Sequence, residues 1–268
     1  MFLAAAVQLT STSDEATNLS VAQALIRRAA GFGATLVVTP EQTNYLGPHA
    51  EKVRRAQPID GPLVQGFCDL ARELSITLVL GSFNEASDEP SRCYNTSVAI
   101  GPDGKLIAAY RKIHLFDVDH SDTVRFRESS TCKPGTEPVV AETAVGQIGM
   151  SICYDLRFPE LYRHYVDHGA TLLTVPSAFT LTTGKDHWHA LLRARAIETQ
   201  CYVIAPGQHG HHDDGGLRES YGHSMIIDPW GQIIGMCPDG DGLALAEVDP
   251  RRTQRIRAGM PLAQHRRL

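Results

Sequence analysis

The chain has 268 residues, of which 43% are hydrophobic and 21% are charged, the balance of an ordinary globular protein that can bury a large core. Its net charge of −5 argues against a nucleic-acid partner, and the arginines crowded into residues 251–267 are interpreted as solvated or interface charge. No apolar stretch could span a membrane, residues 1–10 lack the pattern of a signal peptide, and six cysteines without a C-x-x-C motif indicate free thiols in a reducing, cytoplasmic setting.

The first half of the sequence predicts strands that alternate with helices. Residues 14–33 carry apolar side chains at helical spacing, with Asp14 as the expected N-cap. The dipeptide Asp103-Gly104 lies between two apolar runs and predicts a β-hairpin. The other predicted elements are strands at 2–9, 35–39 and 77–82, a helix at 62–74, and hairpin strands at 95–100 and 105–110.

The second half repeats this order of elements. The segment GATLVVTP returns as GATLLTVP, and the hairpin SVAIGPDGKLIAAY returns as SMIIDPWGQIIGMC. Between these two echoes, a predicted helix at 185–200 precedes a strand at 201–205. We therefore predict an α/β fold of two similar halves, packed sheet against sheet in a four-layer αββα sandwich. Because no linker-like composition separates the halves, residues 1–268 are expected to form a single domain.

Cys153 lies where a predicted strand turns into a predicted helix. An apolar run at 148–152 leads into it, and the helix begins at Pro159, where a proline loses no needed N–H group. Ligands bind at such strand ends in open α/β sheets. A thiol near a helix N-terminus is expected to be partly exposed with a lowered pKa, which would make it a nucleophile. The alternative is a buried cysteine that only packs.

Two more reactive side chains follow predicted strands. Glu41 comes after the strand at 35–39, and Lys112 comes after the hairpin strand. The carboxyl ends of parallel strands share one edge, so both are expected to lie near Cys153. An ammonium can lower the pKa of a thiol and stabilise an oxyanion, and a carboxylate can accept the thiol proton. Taken singly, Glu41 could equally be a helix cap and Lys112 a solvated surface lysine.

Three segments of the chain resemble the signatures of a known family. PEQTNYL around Glu41, YRKIHLFDVD around Lys112 and ICYDLRFPELYR around Cys153 resemble the three signatures of the nitrilase (carbon–nitrogen hydrolase) superfamily. The resemblance implies an αββα sandwich, a Glu-Lys-Cys catalytic triad, no cofactor and an obligate homo-oligomer. RESSTCKPG resembles the segment that places a second glutamate, here Glu128, beside the lysine, with an exposed loop acid as the alternative.

The resemblance also implies roles for these residues. Cys153 would attack a carbonyl to form a thioester, with Glu41 as general base and with Lys112 and the backbone N–H of Tyr154 stabilising the oxyanion. Nitrilases proper usually carry Trp after the nucleophile, so Tyr154 points to amides rather than nitriles. A family member that has lost turnover and serves as a binding scaffold is a hypothesis of a different class, which the presence of all three triad residues disfavours.

The expected substrate comes from later segments. PSAFTLTTGKDHWHALLRARAIETQCYVIAPGQ, SYGHSMIIDPWG and MPLAQHRR resemble the branch of the family that cleaves a 2-oxoglutaryl amide into 2-oxoglutarate and cysteinylglycine. A related branch that acts on 2-oxoglutaramate shares RKIHLFD and is the alternative. Either substrate is a linear amide that carries a 2-oxo acid group.

Substrate binding requires a cation other than Lys112. Arg157 could bind the carboxylate of the 2-oxo acid through its planar fork. Alternatively, it could hold the turn by pairing with Asp155 or Glu160, which is the interpretation we favour. The side chains expected to wall the pocket are Tyr45, Phe179 and Thr180.

The remaining constellations are interpreted as structural. His114 lies beyond the strand end and is not expected to be a catalytic base, and Arg195 and Glu198 are expected to form an ion pair on one helix. The sequence GQHGHHDDGG is predicted to be an exposed or pocket-mouth loop without an ordered scaffold. No metal is therefore expected at its donor side chains, which are His209, His211, His212, Asp213 and Asp214.

The C-terminal residues 250–268 contain few apolar side chains, so they are not expected to form a strand or helix of their own. They resemble a segment that crosses a partner subunit in the family. We therefore expect at least a homodimer, with no nucleic-acid or membrane partner.

Overall fold

Two β-sheets form the body of the protein. The computed structural model describes residues 1–121, 124–216 and 218–267. The strands of the first sheet are β1 (Phe2–Gln8), β2 (Ala34–Val38), β3 (Thr77–Glu85), β4 (Cys93–Ile100), β5 (Leu106–Arg111), β8 (Cys132–Lys133) and β17 (Gly242–Val248). They lie in the order β17-β1-β2-β3-β4-β5, with β8 beside β4.

The second sheet is built from the second half of the chain. Its strands are β9 (Val140–Thr143), β10 (Gly146–Met150), β11 (Leu172–Thr174), β12 (Tyr202–Ala205), β15 (Met225–Ile227) and β16 (Ile233–Met236), in the order β16-β15-β12-β11-β10-β9. Two small hairpins lie apart from both sheets and are β6 (Asp117–Ser121) with β7 (Val124–Arg127), and β13 (His209–His211) with β14 (Glu219–Tyr221).

Both sheets follow one pairing pattern. β1, β2 and β3 run parallel, and β4 and β5 follow as antiparallel neighbours. In the second sheet β10, β11 and β12 run parallel, and β15 and β16 follow as antiparallel neighbours. β5 therefore runs in the same direction as β2 and β3, so the carboxyl ends of these strands lie on one edge. β17 returns from the end of the chain to pair antiparallel with β1.

Four helices pack on the two sheets, and they are α1 (Glu15–Gly31), α3 (Pro62–Leu74), α4 (Pro159–Asp167) and α5 (Leu181–Thr199). Three shorter helices are α2 (His49–Arg54), α6 (Pro250–Gly259) and α7 (Leu262–His265). Ile26 of α1 and Phe67 of α3 pack on the first sheet. Leu161 of α4 and Trp188 of α5 belong to the core cluster that includes the second sheet.

The two sheets share the core between them. Leu36 and Val79 of the first sheet and Ile148 and Val203 of the second are fully buried in one continuous cluster. Burying one such aliphatic side chain stabilises the fold by about 1.5–3 kcal/mol. The order helix, sheet, sheet, helix is the four-layer αββα sandwich predicted from the sequence.

The predicted elements of the body are confirmed, with bounds set by local chemistry. The Asp14 side chain caps α1 by accepting the backbone N–H of Thr17 at 3.2 Å. Pro62 occupies the first turn of α3, where no N–H is needed. Gly104 adopts a φ of +76° in the hairpin turn between β4 and β5, a conformation that glycine tolerates without steric cost.

Two predictions about irregular segments are wrong. The C-terminal tail forms α6 and α7, because Pro250 and the Asp249 cap start a helix that needs few apolar residues to lie on the surface. The histidine-rich segment is ordered by pairing between β13 and β14, and it is not uniformly exposed. His212 is buried between the Ser11 carbonyl and the Ser220 hydroxyl, both at 2.8 Å from its ring nitrogens.

The described part of the chain contains no helix with the length and apolar character that a membrane crossing requires.

Candidate active site

A cavity lies where the strand ends of the two sheets meet. Glu41 follows β2, Lys112 follows β5 directly and Cys153 follows β10, and all three line the cavity. Glu128, at the start of a short 3₁₀ helix between β7 and β8, lines it as well. The structure therefore brings together the four reactive side chains that the sequence singled out.

The turn that carries Cys153 has a strained backbone. Its φ of +48° lies in the left-handed region, which costs a residue other than glycine roughly 1–3 kcal/mol. The Cys153 N–H donates to the Pro176 carbonyl at 2.9 Å, and the Ile152 N–H donates to the Asp155 carboxylate at 2.8 Å. Hydrogen bonds on both sides thus hold Cys153 in a conformation that it would not adopt alone.

Asp155 joins the Cys153 turn to the strand end that carries Lys112. This fully buried carboxylate accepts the Tyr110 hydroxyl of β5 at 2.7 Å and the His114 backbone N–H at 3.0 Å. Hydrogen bonds to a charged group contribute about 1.5–3 kcal/mol each, so this cluster ties the two sheets together at the cavity.

Lys112 lies between two carboxylates. Its Nζ donates to Glu41 Oε1 at 3.1 Å and to Glu128 Oε2 at 2.8 Å, and its side chain is only 2% exposed. Burial alone would lower the pKa of Lys112, but the charges of Glu128 and Glu41 raise it well above its usual value. The ammonium is therefore fixed and permanently charged at neutral pH.

Glu128 is locked as an anion. Burial opposes its ionisation, but the charges of Lys112 and Lys52 hold the pKa of this carboxyl at about 2. Its Oε2 also accepts the Phe116 backbone N–H at 2.8 Å. A carboxylate held in this way can fix the position of Lys112, but it is too weak a base to accept a proton near neutral pH.

Glu41 spans the gap between the two sheets. Its Oε1 accepts Lys112 and the Asn95 side-chain amide at 2.8 Å, and its Oε2 accepts the Ala178 backbone N–H at 2.7 Å, beyond the end of β11. The residue that follows it, Gln42, has a φ of +59° and is held by its N–H bond to the Ser82 hydroxyl at 2.8 Å. The Glu41 turn is thus strained and anchored, as the Cys153 turn is.

The protonation of Cys153 differs from the sequence prediction. The thiol is 8% exposed rather than partly exposed. Burial raises the pKa of the Cys153 thiol well above its ordinary value, the Glu41 charge raises it further, and Lys112 only partly opposes these effects. The prediction of a lowered pKa was wrong because it considered the helix terminus and the lysine but not the depth of the site or the adjacent carboxylate.

A backbone donor without an acceptor follows Cys153 directly. Tyr154 lines the cavity immediately after Cys153, and its N–H meets no acceptor among residues 1–121, 124–216 and 218–267. A free N–H next to a nucleophile, together with a fixed ammonium, is an arrangement suited to an oxyanion.

The pocket walls match some of the predicted binding residues. Arg157, Phe179 and Thr180 line the cavity, and the Arg157 guanidinium lies 5.3 Å from the centre of the Phe179 ring. Within the described chain Arg157 forms no ion pair with Asp155 or Glu160, so the favoured turn-holding pairs are absent. Asp155 is already occupied by other donors, and the polar contact of Arg157 is with His187 Nδ1 at 3.3 Å.

Tyr45 lies away from this cavity, in contrast to the prediction. It is 1% exposed, and its hydroxyl donates to the Pro48 carbonyl at 3.2 Å. The Arg55 guanidinium covers its ring at 5.0 Å. Sequence proximity to Glu41 was misleading here because the chain turns sharply at Gln42.

The residues interpreted as structural have structural partners. His114 Nδ1 lies 2.7 Å from Asp155, and its ring stacks on Phe158 at 3.7 Å between centroids. Arg195 pairs with Glu198 at 2.8 Å and also donates twice to the Leu156 carbonyl, in the turn after Cys153. Arg195 therefore supports the nucleophile turn from behind.

The sequence analysis did not identify several residues of the site. Asn95 bridges the two carboxylates by donating to Glu41 at 2.8 Å and to Glu128 at 3.1 Å. A polar residue inside a predicted strand is the signal that could have revealed it. Lys52, Phe126 and Arg218 also line the cavity, but they come from α2, from β7 and from the segment before β14, none of which had been predicted.

The described residues contain no group of three or more His, Cys, Asp or Glu side chains arranged to hold a metal ion. The donors of the histidine-rich segment instead face separate partners, as with His209, whose Nε2 lies 2.7 Å from Asp241.

The sequence matches one family model over nearly its whole length. The model is that of the carbon–nitrogen hydrolases, and it covers residues 3–258. The chain therefore belongs to the carbon–nitrogen hydrolase family, as its three signatures predicted. Family membership makes it a hydrolase of carbon–nitrogen bonds such as amides.

Similar proteins are known from distant organisms. The deaminated glutathione amidase of Synechocystis sp. (strain PCC 6803 / GT-S) is 44% identical, over 99% of this chain and 98% of its own length. The Bos taurus protein of that name is 44% identical, over 99% of this chain and 82% of its own length. The crystal structure of Saccharomyces cerevisiae Nit3, a member of branch 10 of the nitrilase superfamily, has a TM-score of 0.89 at 35% identity and covers 100% of this chain and 97% of that one.

Proposed function

We propose that this chain is an amidase in which Cys153 is the nucleophile, Glu41 the general base and Lys112 the oxyanion-stabilising cation. The single observation that carries the proposal is that all three side chains line one cavity. Glu41 and Lys112 are 3.1 Å apart, and the charge of Glu41 raises the pKa of the Cys153 thiol. A scaffold protein would have no need of a strained cysteine beside a buried ion pair.

The first half-reaction forms a thioester. Glu41 accepts the thiol proton as the Cys153 sulfur attacks the amide carbonyl, so the raised pKa of the free thiol is overcome only when substrate is present. The carbonyl oxygen becomes an oxyanion stabilised by Lys112 and the Tyr154 N–H. The C–N bond then breaks, and protonated Glu41 gives its proton to the leaving amine.

The second half-reaction uses the same carboxylate. Glu41 accepts a proton from a water molecule, whose oxygen attacks the thioester carbonyl. The C–S bond breaks, the acid product leaves, and the proton returns to the Cys153 sulfur. Glu128 keeps Lys112 charged and in place throughout, since its own pKa near 2 prevents it from exchanging protons at neutral pH.

The substrate that we propose is deaminated glutathione, which would yield 2-oxoglutarate and cysteinylglycine. Its support is the 44% identity to proteins of that name and the presence of Arg157 in the cavity without an ion-pair partner in the described chain. Arg157 would bind the carboxylate of the 2-oxo acid through its fork. The alternative substrate, 2-oxoglutaramate, carries the same carboxylate.

A direct assay tests the proposal. The purified protein should hydrolyse deaminated glutathione with a higher kcat/KM than 2-oxoglutaramate, and the Cys153→Ala variant should hydrolyse neither. A higher kcat/KM for 2-oxoglutaramate would assign the alternative substrate. Absence of turnover on both substrates by folded protein would favour the scaffold hypothesis.

We also propose that the chain acts as a homodimer at least. Trp230, Ile233, Ile234 and Met236 lie together on the β15–β16 hairpin, and each exposes more than a third of its surface. Exposed apolar side chains grouped in this way are typical of subunit interfaces. Sedimentation that shows only the mass of one chain at micromolar concentration would contradict the dimer.

A further inference from the structure

The cavity has a second arginine that the proposed mechanism does not use. Arg218 lines the cavity, and its guanidinium lies 4.9 Å from the centre of the Phe126 ring. Its Nε donates to Asp214 at 2.9 Å, and its Nη2 lies 3.4 Å from His49 Nε2. We refer to Lys52, Phe126 and Arg218, together with the adjoining His49, which does not itself line the cavity, as the distal corner.

A row of aromatic rings connects the distal corner to Arg157. The Phe126 ring contacts Phe116 at 5.5 Å between centroids, and Phe116 contacts Tyr154 at 5.1 Å. The Arg157 guanidinium lies over Tyr154 at 5.7 Å. Ring contacts therefore run from Arg157, in the turn that carries Cys153, through Tyr154, Phe116 and Phe126 to Arg218.

The distal corner contains two cationic side chains, Lys52 and Arg218. Burial lowers the pKa of His49 to about 4, the charges of Arg218 and Lys52 contribute to the same shift, and the charges of Asp214 and Glu128 oppose it. Lys52 is buried and donates to the Cys132 sulfur at 2.9 Å. The Asp214 side chain is fully buried and does not line the cavity, and it accepts a hydrogen bond from the Nε of Arg218, so the guanidinium is oriented by Asp214 and keeps further N–H donors.

We propose that Arg218 forms a second anion subsite, which binds a carboxylate on the amine side of the scissile bond. The substrate class is then a linear amide with a carboxylate at each end, and this inference rests on the proposed amidase function. Arg157 would bind the acyl-side carboxylate and Arg218 the carboxylate of the leaving peptide.

The order of the ring contacts between the two arginines agrees with this assignment. In deaminated glutathione the acyl-side carboxylate is separated from the scissile carbonyl by a short chain, whereas the glycine carboxylate lies a whole dipeptide away from the scissile nitrogen. Arg157, in the same short turn as Cys153, suits the shorter arm, and Arg218, beyond the Phe116 and Phe126 rings in the row of contacts, suits the longer arm. The apolar rings between them would contact the uncharged middle of the substrate.

The subsite predicts how the enzyme discriminates among amides. Deaminated glutathione should be compared with an analogue in which a carboxamide replaces the glycine carboxylate. Wild-type protein should prefer the acid in kcat/KM by at least about tenfold, the scale of one hydrogen bond to a charged group. Arg218→Gln should remove this preference through a higher KM for the acid, and Arg218→Lys should retain part of it.

A matched control variant separates the subsite from general charge effects. Arg92→Gln also removes an arginine that is paired with a carboxylate on its own segment, Glu89 at 2.7 Å, but lies outside the cavity. It should keep the wild-type preference. If Arg218→Gln does not fold because the Asp214 carboxylate loses the guanidinium beside it, the double variant Asp214→Asn with Arg218→Gln removes both charges together and should show the same loss of preference.

A binding measurement makes the subsite independent of turnover. Calorimetry on the Cys153→Ala variant should give a Kd for the acid at least about tenfold lower than for the carboxamide, and adding Arg218→Gln should make the two values equal. Equal affinities without the second substitution, or a preference that survives it, would overturn the subsite. Absence of turnover by wild-type protein combined with the expected binding preference would instead contradict the amidase function and leave the subsite standing.

Discussion

The active-site cavity consists of two regions that are built differently. We refer to Glu41, Lys112, Glu128 and Cys153 as the buried centre, and to Arg157, Phe126, Phe179 and Arg218 as the wall. Every member of the centre is at most 8% exposed, and its ion pairs and hydrogen bonds join both sheets. The wall residues instead make ring contacts and a few polar contacts on turns, hairpins and surface segments.

This difference indicates separate tasks for the two regions. Charges that are fixed before substrate arrives need no reorganisation during the reaction, so the centre is suited to stabilising a transition state. Ring surfaces and arginine forks tolerate small changes of position, so the wall is suited to selecting substrates. Substitutions in the centre should therefore change kcat or the fold, and substitutions in the wall should mainly change KM.

The largest effect is expected at the nucleophile and its base. Cys153→Ala should abolish turnover, and Glu41→Gln should lower kcat by at least ~10²-fold, the scale of a lost general base. The matched control is Cys68→Ala, because Cys68 is a free thiol of similar burial in α3, outside the cavity. Full activity of either centre variant, with an unchanged thermal unfolding profile, would contradict the assigned roles.

The second effect concerns stability. Glu128→Gln leaves Lys112 with one carboxylate and should lower the unfolding free energy by roughly 3–5 kcal/mol at pH 7, the usual cost of breaking a buried ion pair. Urea unfolding measures this loss. Glu73→Gln, at an exposed glutamate paired with Arg27, should stay close to wild type, and equal losses in the two variants would contradict a special role for the centre.

The same pair predicts a pH dependence of stability. The pKa of Glu128 falls from 4.5 to about 2 on folding, so the unfolded chain binds the proton first as the pH drops. The stabilisation, on the order of 3 kcal/mol, is complete above about pH 5 and lost progressively as the pH falls toward 2. The Glu128→Gln variant should not lose this part of its unfolding free energy on acidification. An identical dependence of the unfolding free energy on pH in the wild-type and variant proteins would contradict the prediction.

A smaller effect should appear in the titration of the nucleophile. Glu41 raises the pKa of Cys153 by its charge, so Glu41→Gln should shift the pH profile of Cys153 alkylation to lower pH. The rate of iodoacetamide labelling, followed by mass spectrometry, measures this shift. An unchanged or upward shift would show that the two groups do not interact in the free protein.

The centre could be predicted from the sequence, whereas the wall largely could not. Glu41, Lys112 and Cys153 follow strands with clear apolar patterns, and parallel strands bring their carboxyl ends to one edge whatever the details of packing. Phe126 comes from the short strand β7 and Arg218 from the segment before β14, and neither segment has apolar periodicity, so nothing in the local pattern places them beside Cys153. Tyr45 is the opposite case, because it was expected in the cavity from its nearness to Glu41 in the sequence. The left-handed conformation of Gln42 turns the chain away from the cavity before Tyr45.

The protonation state of Cys153 could not be predicted from the sequence either. The nearest charges in the sequence pattern predicted a lowered pKa for Cys153, and the depth of the site could not be inferred from them. Burial and the charge of Glu41 raise the pKa of Cys153 by more than Lys112 lowers it. A strand-end motif therefore predicts which groups meet, but not which of them holds the proton.

The smallest effect is expected in the wall, at Arg157. Arg157→Lys keeps the positive charge but loses the planar fork and the stacking on Phe179. If Arg157 binds the 2-oxo acid carboxylate, KM for deaminated glutathione should rise about tenfold, while a neutral linear amide of similar length keeps its KM. Steady-state kinetics on the two amides measures the difference.

Arg195→Lys supplies the comparison for a purely structural role, since Arg195 does hold the turn after Cys153 through its two bonds to Leu156. In that variant both amides should lose rate together, and the thermal midpoint should fall. If Arg157→Lys behaves like Arg195→Lys, then Arg157 holds the turn, and the acyl-side carboxylate must find another partner. If instead KM rises only for the charged substrate and the thermal midpoint is unchanged, Arg157 selects substrates and does not contribute to the strained conformation of Cys153.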